Sequence, residues 1–199
     1  YTIQPYSPGA GTGLSSHELN QPGCYRDVKD LTVTAQFEIV NPKEEWTKWG
    51  TPYFVAWTTT PWTLPSNVAL CVGPKIDYVA VETYNPYSGE PMTMIMAENL
   101  VTSYLKADHE AKEGELPAFD KDKKICPWRI VDRMKGTELE GYHYRQLMPW
   151  VKPCEKLNDL SPAFVGDYAE AHPEKVFASE DGRDRFVEMN DQAFRVILG

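Results

Sequence analysis

The chain has 199 residues, 42% of them hydrophobic and 25% charged, and a net charge of −9. That composition supports the core of one domain, or of a domain carrying an insertion, and excludes general disorder. It also excludes a general nucleic-acid binder, because phosphate binding calls for a broad basic field. The best local basic stretch, Lys121, Lys123, Lys124, Arg129, Arg133 and Lys135, is a candidate to hold one end of an RNA, with a solvated face as the preferred reading. The four cysteines, Cys24, Cys71, Cys126 and Cys154, form no CxxC pair, and no histidine flanks them at ligand spacing, so no metal site is expected. Isolated thiols of this kind fit a reducing cytoplasm. No signal peptide and no membrane span is expected.

Residues 1–30 are rich in Gly, Pro, Ser and Asn and read as irregular, with one helical turn at Ser16–Leu19. "LTVTAQFEIV" alternates: Leu31, Val33, Ala35, Phe37 and Ile39 share one face, which predicts a half-buried strand. "NPKEEWTKWG" is a loop or short helix, and "YFVAWTT" and "NVALCV" are strands. "DYVAVETY" and "PMTMIMA" flank "NPYSGE", whose Asn, Pro and Gly predict a hairpin. "ENLVTSYLKA" has helical spacing, with Leu100, Val101, Tyr104 and Leu105 as its stripe. "DHEAKEGELPAFDKDKK" reads as a polar, exposed excursion. "ICPWRIVDRMKG" is a strand ending in a turn at Gly136, and "YHYRQLMPWVKP" an edge strand broken by Pro149 and Pro153. Residues 158–190 leave room for one or two helices interrupted at Pro173, and "AFRVIL" is a closing strand.

Short strands with few helices predict a mainly β domain, best served by a small barrel with peripheral helices, because closure removes sheet edges. The chain starts at Tyr1 and stops just after "AFRVIL", which reads as a piece excised from a longer protein, with that last strand left as an unpaired edge.

One stretch is unlike the rest. Four threonines, two tryptophans and two prolines share the nine positions Trp57 to Pro65. Threonine is common in strands, so the row reads in one way as a strand end between two core rings. In the other reading, Pro61 and Pro65 stiffen the path, Thr58, Thr59, Thr60 and Thr63 offer hydroxyls that donate and accept, and Trp57 and Trp62 offer flat faces for a nucleobase. Such a ledge suits a nucleoside or a saccharide.

"WTTTPWTLPSN" resembles the threonine-rich signature of the editing domain inserted in isoleucyl-tRNA synthetases. The valyl and leucyl enzymes carry an Arg-Pro pair where this chain has Pro61-Trp62. "YSPGAGTGLSSHELNQPGCYRDVKD" is similar to the segment by which that insertion leaves the nucleotide-binding catalytic domain. The likeness covers roughly the first hundred residues; "GTELEGYHYRQLMPWV" and "AFRVIL" fit more loosely, and 158–190 have no assigned counterpart. The resemblance implies a connector over 1–30 and a β-barrel-like editing domain over 31–199 with an insertion at 158–190.

It also implies a function. One methylene is worth only ~1–3 kcal/mol in a pocket, and this enzyme family is itself the standing example of that limit, so a second site that admits valine and excludes isoleucine is needed to hydrolyse misacylated valyl-tRNA. Thr58, Thr59 and Thr60 would line the pocket around the terminal adenosine of the tRNA and its esterified hydroxyl. Trp62 would wall it, Asn67 would stand in or near it, and Trp57 and Thr63 are further candidates. Hydroxyls and backbone amides would orient the water and the developing oxyanion, with no metal. The implied partners are the tRNA acceptor end, the misattached valine and the parent's catalytic domain, which uses ATP and Mg. In the family a Gly-Thr-Gly turn, a His, an Ala-Pro pair and an Asp follow "AFRVIL", the Asp holding the substrate ammonium; these positions lie past Gly199, so the 199 residues are expected to be inactive alone. His17, in the similar tripeptide context "GTGLSSHE", does not inherit that role. Two other functions fit the same residues: a noncatalytic insert that positions the acceptor end, and a saccharide-binding β module.

Overall fold

The computed structural model describes residues 3–111, 116–120, 122, 125–158 and 161–199. Lys121, Lys123 and Lys124 of the basic stretch lie outside them. The chain divides into two compact units, Tyr1–Leu31 and Thr32–Gly199.

In the first unit β1 (Tyr6–Ser7) pairs antiparallel with β2 (Thr12–Gly13), a two-residue ladder too short to leave a period in the sequence. The predicted turn of helix is present as α1 (Ser16–Leu19). A capping box starts it: the Ser15 N–H donates to Glu18 Oε2 at 2.7 Å, and the Glu18 N–H donates to Ser15 Oγ at 3.3 Å.

The second unit is built on an eight-stranded mixed sheet. Its strands are β3 (Val33–Val40), β4 (Thr51–Thr58), β5 (Ala69–Val72), β6 (Asp77–Tyr84), β7 (Pro91–Ala97), β8 (Arg129–Lys135), β9 (His143–Tyr144) and β13 (Arg195–Leu198), in the order β5-β13-β9-β3-β4-β7-β6-β8. Pairings β4–β7 and β5–β13 are parallel and the others antiparallel. All eight strands turn one face to a single core that includes Phe37, Phe54, Val72, Ala80, Ile95, Met134, Tyr144 and Val196. The opposite face of β6 and β7 is covered by α3 (Val101–Tyr104) and Trp128, through Val79, Val81, Met96 and Leu105. These two covered faces explain why β6 and β7 read as near-continuous apolar runs while β3, with one face buried, alternates.

The molecule is mainly β with peripheral helices, as expected, and the sheet curls as a barrel would. Closure is not by a β ladder, however: β5 and β8 are its two edges. The gap is filled by α4 (Gly136–Leu139), which follows β8 directly, so Gly136 opens a helix instead of a turn. The Gly136 N–H donates to the Ile76 carbonyl at 3.1 Å, in the connection from β5 to β6, and Leu139 is fully buried beneath it. Edge β8 is blunted by its charges. Arg129 pairs with Glu82 (2.6 Å), Arg133 with Glu98 (3.2 Å) and Lys135 with Asp77 (2.6 Å). The described members of the basic stretch are therefore neutralised by neighbouring carboxylates and form no open cationic field.

Two strand expectations are corrected. "YHYRQLMPWVKP" yields only the two-residue β9, and β9 is central, between β3 and β13. "AFRVIL" is not an edge: β13 has β5 on one side and β9 on the other. The apolar stripe of "ENLVTSYLKA" is half right. A 3-10 turn precedes α3, so Val101 and Leu105 are buried while Leu100 and Tyr104 stand largely exposed. The polar excursion is not wholly exposed either, since Leu116 is buried and the Ala111 N–H donates to the Trp128 carbonyl at 2.8 Å.

Within the same unit, β10 (Cys154–Leu157), β11 (Val176–Ala178) and β12 (Arg185–Glu188) form a small sheet in the order β10-β12-β11. It is covered by α5 (Ala163–Ala171) through Val165, Val187 and Met189. Pro173 starts a 3-10 turn just after α5, which is the expected interruption. The remaining helix, α2 (Glu44–Thr47), buries Trp46 in the main core.

Candidate functional site

Strand β4 delivers the threonine row. Phe54 and Ala56 face the main core, Trp57 faces solvent, and the ladder with β3 ends at the pair Val33↔Thr58. The chain must leave the sheet here. Pro61 has no N–H to give a ladder, and it holds the residue before it away from helical geometry; Thr60 sits at φ −124°, ψ 65°. Pro61 then opens a 3-10 turn, Pro61–Ser66, a position proline favours because its missing N–H is not needed there. Leu64 is the turn's anchor and packs against the main core.

The hydroxyls are not equivalent. Thr58 Oγ1 accepts the Thr60 N–H at 3.0 Å and lies 3.2 Å from Thr60 Oγ1. Thr63 Oγ1 donates to the Thr60 carbonyl at 2.8 Å, beside the Thr63 N–H at 3.0 Å. Thr58, Thr60 and Thr63 thus brace the loop against itself. Thr59 is exposed, and its hydroxyl makes no hydrogen bond among the described residues. It is the member of the row whose hydroxyl is left uncommitted.

Asn67 closes the turn. Its backbone N–H donates to the Leu64 carbonyl at 3.1 Å and its side-chain N–H to the Ala69 carbonyl at 3.0 Å, at the entry to β5. Its Oδ1 accepts the Tyr144 hydroxyl at 2.6 Å. Burial pushes the Tyr144 phenol well above its ordinary pKa, so it stays protonated and donates. Tyr144 is the residue that reading the sequence missed. It lies 77 positions from Asn67 in a proline-broken run, and no local pattern singles it out.

Trp57 and Trp62 are 57% and 70% exposed, and no ring contact joins them among the described residues. Trp57 borders an apolar cleft of about 320 Å³, together with Val55, Cys71, Met96 and Tyr104. The cleft opens because the β4–β7 ladder ends at Phe54↔Ile95 and the strands part beyond it. The other predicted residues, Thr58, Thr59, Thr60, Trp62, Thr63 and Asn67, do not line it. From Trp57 to Asn67 there is no ionisable side chain, so the ledge offers neutral donors, acceptors and ring faces. Such a surface can bind hydroxyls, an adenine face and a developing oxyanion without a charge of its own. The described residues contain no helix long and apolar enough to cross a membrane.

No protein-family model matches the chain. Individual proteins do match it. The isoleucine–tRNA ligase of Bacteroides fragilis is 61% identical over 168 residues, 84% of this chain, and that of Bacteroides thetaiotaomicron is 56% identical over 182 residues, 92% of it. The isoleucine–tRNA ligase of Treponema denticola is 34% identical over 209 aligned positions that take in the whole chain. A mainly β unit with a braced threonine ledge and relatives of this kind is part of an aminoacyl-tRNA synthetase. The chain belongs to the isoleucyl-tRNA synthetase family. It spans 14–16% of the length of these relatives.

Proposed function

We propose that this segment is the proofreading domain of a synthetase that ligates isoleucine to its tRNA with ATP and Mg, and that it hydrolyses valyl-tRNA formed in error. The observation that carries the reading is the ledge itself. Thr58, Thr60 and Thr63 fix its shape, which leaves the Thr59 hydroxyl, the exposed tryptophan faces and Asn67 to meet the terminal adenosine and its ester. In the reaction, a water oxygen bonds to the ester carbonyl carbon and the bond to the ribose oxygen breaks. One water proton ends on that ribose oxygen, releasing valine and intact tRNA. The ledge supplies orientation and hydrogen bonds to the oxyanion, an effect worth ~3–4 kcal/mol per well-placed donor in other hydrolases. Trp62 would set the size limit that keeps isoleucine out. Four free thiols support a reducing cytoplasm as the parent's compartment.

The test is deacylation of valyl-tRNA by the full-length synthetase carrying Thr58, Thr59 and Thr60 all changed to Ala. Clearance should disappear while isoleucine activation persists; parallel loss of both would make the loop structural. The exposure of both tryptophans favours a second reading, a noncatalytic platform that stacks acceptor-end bases. On that reading the triple variant would weaken tRNA binding without changing the deacylation rate of bound ester.

A further inference from the structure

We infer that Tyr144 is a positioning residue for the threonine ledge, acting through Asn67; the inference rests on the proofreading reading above. Tyr144 is 2% exposed and its backbone is locked in the centre of the sheet, where its N–H donates to the Phe194 carbonyl at 2.9 Å. Its ring packs edge-on against Phe37 and Phe194, with centroids 5.1 and 6.1 Å away. A phenylalanine would make those contacts equally well. The hydroxyl is therefore not serving the core. Its partner is Asn67 Oδ1, at the junction of the 3-10 turn and β5.

The Ala69 carbonyl decides the state of the amide. A carbonyl can only accept, so the Asn67 side chain must turn its nitrogen to Ala69 and its oxygen to Tyr144. The Tyr144 hydroxyl then donates to the oxygen so placed and holds the amide from its other side. Asn67 is left with one side-chain N–H and one lone pair uncommitted and fixed in direction. The same contact ties the C-terminal end of the ledge to β9, an inner strand of the sheet. Geometry at a reacting centre is sensitive on this scale: a displacement of ~1 Å can cost ~10²-fold in rate.

The experiment uses the full-length synthetase with Tyr144→Phe, Asn67→Ala and both together. Steady-state valyl-tRNA deacylation and isoleucine-dependent pyrophosphate exchange are read at a temperature where circular dichroism shows each variant folded. Tyr144→Phe should lower kcat for deacylation by about tenfold or more, with KM and pyrophosphate exchange within about twofold of wild type. In the Asn67→Ala background it should add nothing. Wild-type kcat in Tyr144→Phe, or independent multiplying losses in the double variant, would overturn the positioning role. In that case the proofreading reading stands as long as the wild type deacylates valyl-tRNA and the triple threonine variant does not. If the wild type itself fails to deacylate valyl-tRNA, the proofreading reading falls and takes this inference with it.

Discussion

Gly136 lies so close to Gly73 that a Cβ on it would stand 2.1 Å from the Gly73 carbonyl oxygen. This contact is the seam of the curled sheet, where the end of edge β8 meets the end of edge β5. The obstructing atom is backbone, so no side chain can move aside. Gly136→Ala should lower stability by ~1–3 kcal/mol, the usual cost of overpacking. Gly166, within α5, has open space at its Cβ position, and Gly166→Ala should be neutral or stabilise by ~0.5–1 kcal/mol. Urea midpoints of the two variants provide the check; equal midpoints would mean the seam relaxes freely.

A second prediction concerns Asp132, whose Oδ2 accepts the buried Trp46 indole N–H at 2.9 Å and the Lys43 ammonium at 3.0 Å. Burial opposes the charge on Asp132, but Trp46 and Lys43 outweigh it and hold the carboxyl below its ordinary pKa. Removing the carboxylate orphans an indole N–H on a fully buried ring, a loss of ~1–3 kcal/mol. Asp132→Ala should therefore destabilise by that amount at pH 7. Because the folded pKa is depressed, the contribution is present above the ordinary carboxylate range and disappears as pH falls through the folded value. The gap between variant and wild type should thus narrow in strong acid to what a neutral carboxyl still supplies to the indole, as urea titration at a series of pH values would show.

These two contacts mark how far the sequence could be read. The alternation of Val33 to Ile39 announced β3, and "NPYSGE" announced its hairpin, where Asn85 Oδ1 accepts the N–H groups of Tyr87 and Ser88. Both signals are local. Strand β9 has two residues and therefore no period; the partners of His143 and Tyr144, on β3 and β13, put it in the middle of the sheet. In the sequence Gly136 reads as a turn, because glycine punctuates turns, whereas in the fold it is required for close approach at a seam formed by residues 63 positions apart. At the candidate site the row of threonines was visible. What the sequence could not show is that three of them bond within the loop and one does not, and that Asn67 answers to Tyr144.

In the small sheet and its helix, Lys175 Nζ lies 2.8 Å from Asp191 Oδ2 and 2.6 Å from the Tyr168 hydroxyl, which also bonds Asp191. The Lys175 and Tyr168 bonds pull the Asp191 carboxyl from its ordinary 3.8 down to about 2, and Asp191 and Tyr168 raise the Lys175 pKa. The tie should be intact at neutral pH and be lost on the acid side between pH ~4 and ~2 as Asp191 protonates, the direction for a depressed carboxylate. On the alkaline side it weakens only above the ordinary lysine range, the direction for a raised amine. Asp191→Asn should loosen α5 at pH 7 and make a smaller difference at pH 2, where half of the Asp191 carboxyls are protonated. Amide hydrogen exchange across residues 163–171 at the two pH values would read this out, and an equal loosening at both would show that charge is not what holds the tie.

The last prediction separates the threonines. Thr58 and Thr60 hydroxyls are committed to the loop, whereas the Thr59 hydroxyl has no partner among the described residues. Thr58→Ala removes the acceptor of the Thr60 N–H and one half of the hydroxyl pair. It should cost ~1 kcal/mol of stability, the net worth of a typical hydrogen bond, and disturb deacylation through the shape of the loop. Thr59→Ala removes an exposed methyl-bearing hydroxyl that supports nothing in the fold, so its stability should stay within ~0.5 kcal/mol of wild type. If the ledge stabilises the oxyanion or orients water through this hydroxyl, Thr59→Ala should nonetheless cut valyl-tRNA deacylation by about 10²-fold, the usual effect of losing one such donor. Thr59→Ser keeps the hydroxyl and should recover most of the rate. The denaturation midpoint thus moves in Thr58→Ala only, whereas Thr59→Ala lowers kcat in an enzyme of unchanged stability. A Thr59→Ala enzyme that deacylates at the wild-type rate would mean that the free hydroxyl is not used, and would turn attention to the braced pair and to backbone N–H groups of the loop as the groups that act on the ester.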